Sequence, residues 1–184
     1  MSEHRDRMLR GDPYRADDSE LVKARRRCAQ LLQRLIAVGN ADEEARDELL
    51  LQLFGSLGEG STVIVPLHCD YGTNVSIGAR TFVNANVVLL DPARITVGDD
   101  VQIGPNVQLL TATHPLEAAE RASGWESAKP ISIGDGAWLG GGVIVGPGVT
   151  VGARTVVGAG TVVVRDLPGG VLAVGNPARV VRSL

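Results

Sequence analysis

Large rings are nearly missing from this chain. Aromatic residues make up 3% of its 184 positions, two each of Phe, Trp and Tyr. That is too few for a core built on rings, so Val, Ile, Leu and Ala must fill the interior. Cysteine is as scarce. Cys28 and Cys69 lack CxxC spacing, which reads as free buried thiols rather than a disulfide. No run approaches the ~20 apolar residues of a membrane span. The stretch from Met1 to Arg15 is charged, unlike a secretory leader, so the expected setting is the cytoplasm, with no membrane partner. A net charge of −3 gives no general attraction to nucleic acid.

Glycine is plentiful, at 23 residues, and hydrophobic residues reach 44%. They are ordered. Ile133, Leu139, Val145, Val151, Val157 and Val163 recur every six residues, and Ala137, Val143, Val149, Thr155, Thr161 and Leu167 form a second column four residues on. A helix of 3.6 residues per turn would smear such columns around its circumference, and a plain strand has period two, so the chain must turn after each six. Gly140, Gly146, Gly152 and Gly158 follow the first column, where the backbone bends or is approached closely. This predicts a mainly β fold, the left-handed parallel β-helix of hexapeptide solenoids.

The same period reads upstream through Val65, Tyr71, Ile77, Val83 and Leu89, with Cys69, Val75, Thr81, Val87 and Ala93 as the second column. It slips by two near residues 94–96, resumes at Val97, Ile103 and Leu109, and lapses after Thr111 until Pro130. The lapse predicts an extruded loop near 111–130. Three sixes predict a triangular coil of roughly eighteen residues.

Residues 1–57 read as a small N-terminal α-helical domain ahead of a solenoid domain over 58–184. Asp17 with Glu20 forms a capping pair for a helix that carries Leu21, Ala24, Cys28, Leu31 and Leu35 and ends at Gly39. A second helix begins at Asn40, carries Ala45, Leu49 and Leu53, and stops at Gly55. Arg25, Arg26 and Arg27 read as a solvated face, with phosphate or subunit contact as the alternative.

Column residues point inward, so chemistry must come from the others. Asp70, Asn84, Asp91, His114, Trp138 and Gly141 lie out of column and are expected on the outer wall. One wall is flat or convex whereas small-molecule sites are concave. A second wall is needed, most economically from identical subunits in a homotrimer. His114 is the imidazole at the interruption of the repeat, while His4 is expected on a mobile terminus and His68 on the first coil. Imidazole suits proton removal from a hydroxyl at neutral pH. Asn84 offers an amide to an oxyanion or an acceptor hydroxyl, or serves as a corner residue. Asp70 and Asp91 read as hydroxyl acceptors or as turn-stabilising side chains.

Several segments are specific in combination: Met8-Leu9-Arg10-Gly11 with Tyr14, Ser19-Glu20-Leu21, Cys69-Asp70-Tyr71-Gly72 and Phe82-Val83-Asn84. They continue with Thr111-Ala112-Thr113-His114-Pro115, Lys129-Pro130-Ile131, Trp138-Leu139-Gly140-Gly141 and Gly175-Asn176-Pro177-Ala178-Arg179-Val180-Val181-Arg182. Through them the chain resembles the maltose and galactoside O-acetyltransferases of the hexapeptide-repeat family over nearly its whole length. The resemblance implies acetyl-coenzyme A (acetyl-CoA) as donor, a sugar hydroxyl as acceptor and no metal. His114 would be the general base and Asn84 would steady the acceptor or transition state. Asp17, Asp70, Phe82 and Glu126 would line the acceptor pocket, joined by Asp91 from the reading above. Trp138, Gly141, Ala159, Val164, Arg165, Arg179 and Arg182 would face the coenzyme. Arg179 and Arg182 are spaced to address phosphate, or else belong to a solvated tail. Pro92 stands where galactoside enzymes carry a second acidic residue, favouring the maltose-type branch, while Gly124-Trp125-Glu126-Ser127-Ala128 departs from the maltose-type loop.

Asn84 opens a side of the second coil and His114 closes a side of the third. A six-residue side spans roughly 20 Å, so each site is expected to take Asn84 from one subunit and His114 from its neighbour. Two other classes compete. A zinc site of the carbonic anhydrase type needs three converging histidines, and the solenoid carries His68 and His114. A non-enzymatic rigid module is the other, and amino sugars, oligosaccharide tips or hydroxylated foreign compounds are alternative acceptors.

Overall fold

Because the chain turns after each six residues, a strand pairs with the strand one coil further on rather than with its neighbour in sequence. The computed structural model, which describes residues 2–184, has three parallel sheets forming the walls of a left-handed β-helix. The first wall runs through Ser56–Leu57, Val75–Ile77, Ile95–Val97, Ile131–Ile133 and Thr150–Val151. The second runs through Thr62–Val63, Phe82–Val83, Gln102–Ile103, Trp138–Leu139, Val156–Val157 and Val171–Val174, with Arg179–Ser183 returning antiparallel at its end. The third runs through Leu67–Cys69, Val87–Leu90, Gln108–Leu110, Ile144–Val145 and Val162–Val163.

Each rung is held by the next. Phe82 N donates to Val101 O and Trp138 N to Thr155 O, both at 2.9 Å. Val83, Ile103, Leu139 and Val157 stack as one buried column. Polar column residues are satisfied where they stand: Thr81 Oγ1 donates to Gly98 O at 2.8 Å and accepts from Val101 N at 3.0 Å. The corners are tight. A Cβ on Gly78 would lie 2.4 Å from Asp99 Oδ1 and 2.5 Å from the Gly98 carbonyl carbon, so only glycine fits there.

The coils are not uniform. Thr62 pairs with Phe82 and Phe82 with Gln102, so the first two coils take twenty residues, whereas Trp138 pairs with Val156 and the later coil takes eighteen. The extra residues fall where the third wall turns into the first, around Asp70 and Asp91. Cys69 therefore stands in register with Leu89, a first-column place rather than the second-column one expected. Tyr71 leaves the coil interior and packs against Met8, Tyr14 and Leu21. The physical reason is a coincidence of phase: two columns four residues apart in a period of six are also two apart, so a two-residue insertion carries one column onto the other.

The helical part comprises α1 (Glu3–Arg10), α2 (Ser19–Val38) and α3 (Glu43–Leu53). The expected mobile terminus is instead α1, capped by Ser2, and His4 Nδ1 within it accepts from Arg15 N at 3.2 Å. Asp18, not Asp17, caps α2 by accepting from Glu20 N and Leu21 N. Asp42 caps α3, not Asn40. Asn40 instead gives both ends of its amide to Val65, donating to O at 2.8 Å and accepting from N at 2.9 Å. It thereby fastens the helices to the first coil. The basic trio is only partly a solvated face: Arg25 donates to the Tyr71 hydroxyl at 2.7 Å and Arg27 to Gln52 O at 2.9 Å.

Candidate functional site

Where the repeat lapses, the chain is ordered rather than simply extruded. Ala112–Thr113 and Trp125–Ala128 form an antiparallel hairpin bridged by α4 (Ala118–Ala122), and Tyr14–Arg15 adds a third strand from the helical part. Trp125 fixes this arm. Its ring packs on His4 with centroids 5.7 Å apart, and the guanidinium carbons of Arg7 and Arg15 lie 5.4 and 5.9 Å from it.

The arm delivers His114 to the edge between the third and first walls. His114 Nδ1 lies 3.7 Å from Glu126 Oε2; the imidazole is 53% exposed and the carboxylate 20%. Asp70 shares this edge, and its carboxyl is raised above the ordinary range chiefly by burial, with Arg25 opposing and Glu126 adding. The Tyr14 hydroxyl is buried without a hydrogen bond of ordinary geometry, and burial followed by the nearby Glu126 carboxylate raises it too. Asp17 is exposed beside them, paired with Arg15 at 3.0 Å.

Asp91 is not on the outer wall. Its side chain is wholly buried, and Oδ1 accepts from Asp70 N at 3.0 Å and Tyr71 N at 2.9 Å, stapling one two-residue insertion to the other. Oδ2 has no partner. Of the two roles left open by the sequence, this geometry is that of a turn-stabilising side chain, which positions Asp70. Burial pushes the Asp91 carboxyl up to about 6 against the lowering effect of those two amides. A carboxyl with a raised folded-state pKa contributes full stability below the unfolded value near ~3.9 and loses it as pH climbs through about 6. Ionising it in place costs on the order of 3 kcal/mol. Asp91→Asn keeps the acceptor and removes the charge, so its melting temperature relative to wild type should rise by about 5 °C between pH 5 and pH 8. A flat difference across that range would refute the buried-charge account.

Asn84 lies on a different edge, between the second and third walls. Its Oδ1 accepts from Ala85 N at 2.8 Å, so the amide NH2 is the group left to donate. It opens onto a groove of about 460 Å³ lined also by Phe82, Trp138, Gly141 and Ala159. His114 does not line it. Trp138 is 55% exposed there, and Gly104 and Gly141 meet so closely that a Cβ on Gly104 would sit 2.6 Å from Gly141 N. Val164, Arg165 and Arg179 share a second cleft of about 240 Å³ near Pro177. Arg182 stands outside it on the last strand, donating to Ser183 O at 3.1 Å.

Each set of expected residues is therefore divided. The acceptor set has Asp17, Asp70, His114 and Glu126 on one edge and Phe82 and Asn84 on another, with the third wall between them. The coenzyme set is split between the groove and the C-terminal cleft. Among the described residues no group of three or more His, Cys, Asp or Glu side chains is placed to hold a metal ion. No helix among them is long and apolar enough to cross a membrane.

Residues 7–58 match the family model of the maltose acetyltransferase hexapeptide capping motif, and residues 130–165 match that of the bacterial transferase hexapeptide with six repeats. The crystal structure of a maltose O-acetyltransferase from Clostridium difficile 630 is 43% identical, with 100% of this chain and 98% of that one covered and a TM-score of 0.98. The chain belongs to the maltose and galactoside acetyltransferase family. Two more solved structures are similar to it. A hexapeptide-repeat acetyltransferase from Vibrio cholerae O1 biovar eltor, complexed with acetyl coenzyme A, is 42% identical over 100% and 99% of the two chains with a TM-score of 0.92. A galactoside acetyltransferase in complex with coenzyme A is 33% identical over 100% and 92%, with a TM-score of 0.95. The capping-motif match ends one residue beyond Ser56–Leu57, the first strand of the first wall.

Sequence reasoning missed the strand at Tyr14–Arg15 and the clamp of His4, Arg7 and Arg15 on Trp125. A signal existed in the scarcity of rings. With six aromatic residues in the chain, Trp125 inside a polar loop was itself an oddity.

Proposed function

We propose that this acetyltransferase carries an acetyl group from acetyl-CoA to a hydroxyl of a maltose- or glucose-like sugar, in a homotrimer whose sites lie between subunits. The observation that carries this is the division of Asn84 and His114 between two edges of one prism. When copies stand side by side around a three-fold axis, the His114 edge of one faces the Asn84 groove of the next. The groove suits the coenzyme, since Trp138 offers a ring face and Gly141 an unobstructed backbone. Arg165 and Arg179 supply cations for its phosphates.

With Nδ1 turned toward Glu126, His114 takes the acceptor's hydroxyl proton through Nε2. The freed oxygen attacks the thioester carbon, the Asn84 amide donates to the developing oxyanion, and the C–S bond breaks. The proton passes to the leaving thiolate. Transfer is direct. Hydrogen bonding to Cys28 and burial raise the Cys69 thiol and hold it protonated, and Cys28 is buried, so neither suits a nucleophile. Asp17, Asp70 and Glu126 disfavour anionic acceptors, and the same carboxylates favour an amino sugar as the second reading.

Thiol release from acetyl-CoA, measured over maltose, glucosides, galactosides and amino sugars, tests this. Release that depends on the sugar and leaves no acetyl group on the protein is expected. Release with no acceptor dependence, or an acetyl adduct in the protein's mass, would overturn it.

A further inference from the structure

Cys28 lies in α2 and Cys69 ends the first strand of the third wall, 41 residues away. Their Sγ atoms are 3.5 Å apart, and Cys28 Sγ is equally close to the Cys69 carbonyl oxygen. Both thiols are free, and they are the only two cysteines in the chain. A disulfide is about 2.05 Å long, so a shift of ~0.7 Å at each sulfur closes the bond. Cys28 is 1% exposed and Cys69 partly exposed, so an oxidant as small as a peroxide reaches Cys69 first.

We propose that Cys28 and Cys69 are a modification site, converted by hydrogen peroxide to an intramolecular disulfide that locks the helical cap to the first coil. The Cys69 sulfur attacks one peroxide oxygen, the O–O bond breaks and water leaves, giving a sulfenic acid. The Cys28 sulfur then attacks the Cys69 sulfur and expels a second water. Two thiols lose two electrons and two protons, and the peroxide takes up both. The hydrogen bond with Cys28, followed by burial, keeps Cys69 protonated at neutral pH, so the first step is slow and the second, between sulfurs already in contact, is fast. The thiol step uses no group of the transfer reaction and holds whatever the acceptor is.

The full chain is treated with hydrogen peroxide, quenched by alkylation under denaturing conditions and mapped without reduction. The expected product is a monomer two hydrogens lighter, with one linked peptide pair containing Cys28 and Cys69. It should melt about 5–10 °C higher and revert with dithiothreitol. Cys28→Ser and Cys69→Ser should each abolish the mass loss and the shift; if a variant fails to fold, the wild-type map decides. Two thiols that both remain alkylatable would overturn the proposal. So would oxidation that stops at sulfinic acid on Cys69 or links separate chains.

Discussion

Replacing His114 with alanine should lower turnover by about a hundredfold or more while leaving the melting temperature and the affinity for acetyl-CoA unchanged. The imidazole is half exposed, and its charged contact is a single carboxylate at 3.7 Å. Its removal therefore opens no cavity and strands no buried partner. The groove assigned to the coenzyme is lined from another edge and does not include His114. The loss should fall on kcat rather than on KM for acetyl-CoA, the pattern of a group used in the transition state and not in ground-state binding. His114→Gln should fare no better, since an amide keeps the hydrogen bonding but cannot hold the proton. A variant within about threefold of wild type would remove His114 from the chemistry.

The solenoid was legible because its rule is local. Each six residues must present the same aliphatic faces to the same narrow interior, and Ile133 through Leu167 do so without a gap. The insertions around Asp70 and Asp91 were hidden by the same rule, because a phase shift of two maps one column onto the other. Only pairing across coils, Cys69 with Leu89 and Val75 with Ile95, separates them. Asp91 was misplaced as a result: being out of column puts a residue on the outside only where the corner is a plain turn.

Long-range order lay beyond the periodic signal. Nothing near Trp125 announces that Tyr14 and Arg15 will pair with Glu126 and Trp125 over a separation of more than one hundred residues. The rare rings do mark the sites afterwards. Phe54 belongs to the main core, but Tyr14, Tyr71 and Trp125 gather at the His114 edge and Phe82 and Trp138 on the groove. An interior too narrow for rings excludes them, so they collect where the fold packs against something other than itself.

Mixing two inactive proteins, one carrying His114→Ala and the other Asn84→Ala, should restore about a quarter of the wild-type activity per site once subunits exchange at equal amounts. In a ring of three, a working site needs an intact Asn84 on one copy and an intact His114 on the next. Random assembly supplies that ordered pair at one interface in four. Neither variant alone holds such an interface. Were Asn84 and His114 to serve the same acceptor within one chain, every copy in the mixture would lack one of them and no exchange would help. The third wall standing between the two edges favours the first outcome, because Asn84 lies where its strands begin and His114 beyond where they end. Mixed trimers confirmed by mass and still inactive would refute the shared site.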